Sequence, residues 1–140
     1  MRFWDSSAIV PLCFRESASD TLRRIANTDE DIVVWWASRT ECISAMARRR
    51  REGVLSTEAE RKGRAILSAL AEAWSEVQPT EIVRERAERL LMVHPLRTAD
   101  GLQLASALVW AEESPKSLDV VSLDQNLREA ALREGFTVLP

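Results

Sequence analysis

Residues 119–139 read DVVSLDQNLREAALREGFTVL and predict a strand, a helix and a second strand in immediate succession. The apolar run that follows Asp119 is typical of a central strand, and Asp124 stands where a helix is expected to begin. Gly135 is the residue type expected just past a helix end, and Thr137-Val138-Leu139 then forms a final strand. Strands separated by helices indicate an α/β fold with a mainly parallel sheet.

The remainder of the chain shows the same alternation. A short strand is predicted at Arg2-Phe3-Trp4, and the β-branched and aromatic run from Ile32 to Trp36 predicts a buried strand. Helices are predicted at residues 17–27, 57–74, 81–92 and 98–112, and from residue 38 towards residue 53. The sequence shows no repeat, low-complexity tract or linker, so we expect one domain over residues 1–140.

Three helix starts carry capping signals. Ser38-Arg39-Thr40-Glu41 and Thr57-Glu58-Ala59-Glu60 have the spacing of a capping box, in which hydroxyl and carboxylate each accept a hydrogen bond from the other residue's backbone N–H. Thr98 is expected to cap the helix that follows it.

Length and composition place few limits on function. The chain has 140 residues, of which 46% are hydrophobic and 29% charged, values ordinary for a soluble globular protein. No apolar run approaches the roughly 20 residues needed to cross a bilayer, and the first residues lack a secretory signal, so we expect a cytoplasmic protein without membrane contact. A net charge of −3 argues against a generic basic nucleic-acid binder, but not against an enzyme that meets nucleic acid at one cation-lined place.

Cysteine and histidine offer little chemistry. Cys13 and Cys42 could pair in principle, but we expect buried, inert thiols, and with the single His94 they make a poor zinc set. His94 falls at a predicted helix end, where contact with terminal carbonyls or solvent is expected in preference to catalysis.

Four acidic residues stand where strand or loop changes into helix: Asp5, Glu41, Asp100 and Asp124. Helix starts that follow strand ends gather on one edge of an α/β fold. Two like charges about 4 Å apart cost roughly 4 kcal/mol at an effective dielectric of about 20, and a divalent cation removes that penalty. Singly, each acid has a structural alternative as an N-cap, as a capping-box partner or as a complement to the helix dipole.

The motifs around these acids resemble those of the PIN-domain ribonucleases. The small, single-domain form of the chain resembles the VapC toxins of bacterial toxin–antitoxin pairs. Four segments carry the resemblance. The first two are Phe3-Trp4-Asp5-Ser6-Ser7-Ala8 and Ser38-Arg39-Thr40-Glu41. The third is residues 96–105, which read LRTADGLQLA, and the fourth begins at residues 121–127 and extends through Gly135 to Val138. Gly101 departs from the alanine that the family commonly has there, which weakens the helix by up to about 1 kcal/mol without removing a ligand.

The resemblance implies a PIN-like three-layer α/β/α sandwich. It also implies that Asp5, Glu41, Asp100 and Asp124 are catalytic metal-site carboxylates, with Ser6 or Ser122 as supporting hydroxyls. Hard oxygen ligands suit Mg²⁺ or Mn²⁺. The expected activity is hydrolysis of an RNA phosphodiester by metal-activated water, which leaves 5′-phosphate and 3′-hydroxyl ends. The expected partners are RNA, a cognate antitoxin protein and a second copy in a homodimer; the alternative is a non-catalytic PIN-like module that binds protein or RNA.

Other residues have open interpretations. The run Arg48-Arg49-Arg50-Arg51 could contact RNA phosphates or form a solvated helix end, and Arg97 could balance the acids or meet phosphate. Most tryptophans are expected in the core or at a subunit interface, with Trp36 the best candidate for stacking on a base. Asp119 begins the strand that Asp124 follows, roughly 15 Å away at about 3.3 Å per residue, so it is expected to lie outside the site.

Overall fold

Five strands form one sheet in which every neighbouring pair is parallel. A computed structural model describes residues 1–29 and 31–140. The strands are β1 (Arg2–Trp4), β2 (Ile32–Trp35), β3 (Ser75–Val77), β4 (Asp119–Val121) and β5 (Thr137–Leu139), in the order β3-β2-β1-β4-β5. All four pairings are parallel, so the predicted sheet is confirmed.

Helices cover both faces of this sheet. They are α1 (Ser6–Ile9), followed by a 3₁₀ turn (Val10–Cys13), α2 (Ser19–Thr28), α3 (Ser38–Arg51), α4 (Thr57–Ala73), α5 (Glu81–Val93), α6 (Thr98–Trp110) and α7 (Gln125–Glu134). In the described ranges no helix is both long and apolar enough to cross a bilayer.

Side chains alternate between the two faces of the strands and so build two cores. Phe3 and Val33 pack in the cluster that contains the buried residues of α5, α6 and α7. Trp4 and Val34 pack in the other cluster, with residues of α1, α2, α3 and α4. Because the sheet lies between two helical layers, the predicted three-layer α/β/α arrangement is confirmed.

Strand β3 has no counterpart among the predicted strands. Its three residues include the charged Glu76 and stand just before Pro79, so neither composition nor periodicity marks it. It exists because its backbone pairs with β2, with Val34 opposite Glu76 in the register. This edge strand therefore depends on tertiary pairing.

All three predicted caps are wrong by one residue. Ser38, Thr57 and Thr98 are each the first residue inside a helix. The residues at the N-cap positions are Ala37, Ser56 and Arg97. Of these, only Ser56 caps through its side chain, which accepts a hydrogen bond from the backbone N–H of Ala59 at 3.1 Å.

The end of α6 also differs from the prediction. The helix stops at Trp110, before the predicted residue 112, because Glu112 and Glu113 adopt left-handed backbone conformations with φ of 49° and 59°. Their backbone N–H groups bond the carbonyls of Val109 and Leu108, which closes the helix end.

His94 lies in different surroundings from those predicted. The residue follows α5, is buried, and places Nε2 at 2.7 Å from Oε1 of Glu134 in the last turn of α7. The prediction of carbonyl or solvent contact is wrong, because packing of α7 brings a carboxylate to this helix end. Asp119 begins β4 as predicted, and its Oδ2 accepts a hydrogen bond from Nε of Arg2 at 2.9 Å.

Both cysteines are buried free thiols, as predicted. Burial raises the pKa of Cys13 to about 12, and it also raises the pKa of Cys42 well above the ordinary thiol value. Both thiols therefore stay protonated near neutral pH and are poor nucleophiles. Among the tryptophans, Trp4, Trp35 and Trp74 are buried, whereas Trp36 is half exposed.

Strand order determines where a ligand site can form. From β1 the chain proceeds to β2 and β3 on one side and later returns to β4 and β5 on the other. A crevice therefore opens beyond the carboxyl ends of β1 and β4, where connections leave in opposite directions. Asp5 and Asp124 lie at this edge of the sheet, one and three residues after their strands end.

Candidate functional site

One cavity at this crevice holds all four predicted acids. Its volume is about 510 Å³, and its lining contains Asp5, Glu41, Asp100 and Asp124. The structure therefore gathers into one place side chains that are far apart along the chain. No histidine or cysteine is among the lining residues, so the donors available are carboxylate and hydroxyl oxygens.

Asp5 is the most buried of the four acids and is held by two serines, Ser7 and Ser122. It is the N-cap of α1, with Oδ2 accepting a hydrogen bond from the backbone N–H of Ser7 at 3.2 Å. The hydroxyls of Ser7 and Ser122 also donate to Oδ2, the latter at 3.0 Å. Ser6 Oγ lies farther away, at 3.4 Å from Oδ1. Asp5 thus combines the capping role with a place in the cavity.

The environment of Asp5 favours its protonated form. Burial is the main reason that its pKa rises from the ordinary value of 3.8 to about 6. The hydrogen bonds from Ser7 and Ser122 lower the pKa, and the Glu41 carboxylate raises it. Ionised Asp5 is therefore costly in the isolated chain and would be stabilised by a cation in the cavity.

Glu41 faces the cavity and takes no part in a capping box. Its Oε2 accepts hydrogen bonds from Ser6 Oγ at 2.8 Å and from Gln103 Nε2 at 3.0 Å. The box cannot form because Ala37, at the cap position, has no side-chain oxygen to accept a hydrogen bond, and its φ of −81° and ψ of −4° are helical instead of extended. Ser38 is buried and accepts a hydrogen bond from Gln103 at 3.0 Å.

Asp100 lies in the first turn of α6 and Asp124 at the start of α7. Asp100 Oδ2 accepts a long hydrogen bond, 3.4 Å, from the backbone N–H of Arg97. Burial, followed by the charge of Asp124, raises the pKa of Asp100, while Arg97 opposes the rise. Asp124 is the N-cap of α7, and its Oδ1 accepts a hydrogen bond from the backbone N–H of Leu127 at 2.8 Å.

Two of the four acids, Asp5 and Asp100, each have a pKa that a neighbouring acid raises. Glu41 raises the pKa of Asp5, and Asp124 raises the pKa of Asp100. Within residues 1–29 and 31–140, no three Asp, Glu, His or Cys side chains stand close enough together to hold one metal ion. The donor chemistry fits a hard divalent cation, but the side chains would have to rotate towards one another to share it.

The supporting serines belong to the site in different ways. Ser6 contacts Glu41 most closely, whereas Ser122 donates to Asp5 and accepts a hydrogen bond from the backbone N–H of Asp124 at 3.1 Å. Ser122 thus connects the acid after β1 with the acid after β4.

Two residues whose side chains hydrogen-bond the acids, Ser7 and Gln103, are missing from the sequence-based set. Ser7 donates to Asp5 and accepts a hydrogen bond from the backbone N–H of Leu123 at 2.9 Å. Gln103 reaches Glu41 from α6. A signal existed for Gln103, because an amide one turn after Asp100, between two leucines of a largely apolar helix, is unusual.

Two arginines of the basic run also line the cavity. Arg49 forms an ion pair with Glu16, which is itself a lining residue, and Arg48 is exposed to solvent. Arg50 instead contacts the buried Glu60, with Nε and Oε2 2.5 Å apart. The run is therefore divided between the cavity and the packing of α3 against α4.

Comparisons with known proteins place the fold. Neither a protein-family model nor a curated protein matches the chain significantly. Among solved structures, FitAcB from Neisseria gonorrhoeae is similar with 16% identity and a TM-score of 0.67, over 100% of this chain and 97% of that chain. PAE2754 from Pyrobaculum aerophilum is similar with 17% identity and a TM-score of 0.64, over 95% of this chain and 88% of that one.

A third solved structure, FitAB bound to an IR36 DNA fragment, is similar with 19% identity and a TM-score of 0.62, over 99% of this chain and 94% of that chain. Likenesses at this level of identity establish architecture. The all-parallel five-stranded sheet between helical layers is a PIN-like fold, as predicted.

Proposed function

We propose that this chain is a metal-dependent endoribonuclease of the PIN type. The observation that carries the proposal is the cavity that gathers Asp5, Glu41, Asp100 and Asp124 beyond the carboxyl ends of the strands. Burial, and to a lesser degree a neighbouring carboxylate, raises the pKa values of Asp5 and Asp100, so ionising them is costly unless a cation binds in the cavity.

The proposed cofactor is Mg²⁺ or Mn²⁺, held by these four carboxylates. When bound, such an ion supplies Lewis acidity that activates water and offsets charge on a phosphate oxygen. The chain contributes the ligand set and the supporting hydroxyls of Ser6, Ser7 and Ser122, which hold the carboxylates in place. Substitution of one acid therefore removes both a donor and a charge from the site.

The proposed substrate is RNA, and Arg48 is the residue best placed to meet it. A polyanion approaching the acidic cavity needs local cations, and Arg48 lies exposed in the cavity lining. Arg49 is already paired with Glu16, so it contributes less free charge.

We further propose that the chain is the toxin of a toxin–antitoxin pair and acts in the cytoplasm. The support is its resemblance to the VapC toxins and its PIN-like fold, similar over the whole chain to FitAcB. The partner would be an antitoxin whose basic or apolar tail occupies the acidic cavity. The homodimer expected from the same resemblance stays a prediction that sedimentation analysis can test.

The second candidate is a non-catalytic module that binds protein or RNA. The observation that favours it is that no three of the acids in the described ranges stand close enough to share one cation. This candidate predicts RNA binding without cleavage, whatever divalent cation is supplied.

Cleavage of RNA by the purified chain, with Mn²⁺ or Mg²⁺ and with a chelator, separates the two candidates. We expect new 5′-phosphate ends only in the presence of the ion. Asp5→Asn and Asp100→Asn should each reduce cleavage by roughly 100-fold or more, the scale for losing one preorganised electrostatic group. Asparagine caps a helix about as well as aspartate, so Asp5→Asn keeps the hydrogen bond that starts α1.

Glu129→Gln is the matched control, because it neutralises an acid on α7 that is exposed and lies outside the cavity lining. It should cleave like the original chain. Full activity in both Asp5→Asn and Asp100→Asn would contradict the nuclease proposal. Growth arrest on induced expression of the original chain, but not of Asp100→Asn, tests the toxin proposal separately.

A further inference from the structure

Gln103 is a buried polar link between the two helices that carry Glu41 and Asp100. It is only 1% exposed and lies on α6 one turn after Asp100, so the two side chains share a helix face. Its Nε2 donates to Glu41 Oε2 and to Ser38 Oγ, both at 3.0 Å. The amide therefore spans one turn of α3 and ties it to α6.

Packing alone does not explain a glutamine at this position. Its Oε1 is buried and has no hydrogen-bond partner in the part of the chain that the structure describes. A buried acceptor without a partner is costly, and an apolar side chain of similar size would avoid that cost. The two donors of the amide are therefore the part of the side chain that needs an explanation.

A neutral donor affects Glu41 in a way that a cationic one would not. A lysine or arginine here would neutralise the carboxylate, whereas an amide orients it and leaves its charge available to a ligand. Ser6 and Gln103 both donate to Oε2 of Glu41, and Oε1 receives no hydrogen bond from the described residues. One oxygen is therefore fixed by the protein, and the other is left to the cavity.

We propose that Gln103 is a positioning residue that orients the Glu41 carboxylate for a divalent cation. It also fixes α3, which carries Glu41, relative to α6, which carries Asp100. This inference rests on the proposed function. It assigns no contact with substrate to Gln103; the residue acts through Glu41.

Mn²⁺ binding to the purified full chain tests the inference without reference to RNA cleavage. Gln103→Met keeps an unbranched side chain of similar length and removes both donors. We expect its Mn²⁺ affinity to fall by about 10-fold to 100-fold, the usual effect of removing a hydrogen-bond partner of a metal ligand. Gln103→Leu provides a second apolar replacement should the methionine variant fail to fold.

The decisive comparison is a double-mutant cycle with Glu41→Gln. If Gln103 acts through Glu41, adding Gln103→Met to Glu41→Gln should cause little further loss of affinity. Gln125→Met is the matched control, because Gln125 donates from an exposed position on α7 to Glu129 Oε1 at 2.9 Å. This variant should bind Mn²⁺ like the original chain.

Each result decides the inference. Unchanged affinity in Gln103→Met, or a loss of the same size with and without Glu41→Gln, would overturn it. A chain that binds no Mn²⁺ would overturn both this inference and the metal-dependent function. Coupled losses of Mn²⁺ binding in a chain that never cleaves RNA would support the role of Gln103 and remove the nuclease proposal alone.

Discussion

Asp5 shows how a single buried carboxyl group can make stability depend on pH. Its pKa of about 6 in the folded chain lies above the ordinary value of 3.8, a difference that corresponds to roughly 3 kcal/mol. The folded state binds this proton more tightly than the unfolded state does. The stabilising contribution is therefore complete below about pH 4 and is lost as pH rises through about 6.

We expect the metal-free chain to lose up to roughly 3 kcal/mol of stability relative to Asp5→Asn between pH 4 and pH 7. The asparagine variant cannot ionise at this position, so it does not share the loss. Urea unfolding of both proteins in a chelating buffer, at several pH values, measures the difference. A stability difference that stays constant over this interval would contradict the assigned pKa.

At this scale the sequence predicts which acids line the cavity and leaves their hydrogen-bond partners undetermined. Asp5 and Asp124 are recognisable because each stands at the junction of a strand and a helix. Ser6 and Ser7 are adjacent and chemically identical, yet Ser7 and Ser122 hold Asp5, whereas Ser6 holds Glu41. Only the folded backbone decides which hydroxyl points where.

Among the helices, the contact between α5 and α6 explains why Gly101 stands where PIN-domain ribonucleases commonly have alanine. A Cβ on Gly101 would lie 2.9 Å from Leu91 Cδ2 and 3.0 Å from Leu91 Cγ. The leucine on α5 thus occupies the space that an alanine on α6 would need. Gly101 therefore leaves room for the Leu91 side chain where the two helices pack together.

Gly101→Ala should lower the free energy of unfolding by about 1 kcal/mol, because overpacking costs about 1–3 kcal/mol and the better helix propensity returns up to about 1 kcal/mol. In a Leu91→Ala background the same substitution should stabilise the chain by up to about 1 kcal/mol. Denaturant unfolding of the four proteins gives both values. A stabilisation of similar size in both backgrounds would show that Leu91 does not limit the space.

The elements were predictable where pattern and packing agree. β2 and α7 follow from a β-branched run and from a cap and a terminal glycine, respectively. β3 depends on pairing with β2, and Ser38 lies inside α3 because its hydroxyl meets Gln103 on another helix. These contacts join parts of the chain that local patterns treat separately.

At the scale of the whole molecule, cation binding should raise the free energy of unfolding. A ligand that binds only the folded state adds about 2.7 kcal/mol at 100 times its dissociation constant. We expect Mn²⁺ to raise the free energy of unfolding of the original chain, and to raise it much less when Asp5→Asn and Asp100→Asn are combined. Thermal or urea unfolding at matched ionic strength makes the comparison, and equal stabilisation of both proteins would argue against a cation in the cavity.

The position of β1 between β2 and β4 also affects how the chain is made. β1 is synthesised before β4 and stays open on one side until β4 follows, because Phe3 and Trp4 pair with Val120 and Val121. Asp5 receives its hydrogen bond from Ser122 only at the same late stage. A chain that ends before β4 therefore lacks the assembled acidic cavity.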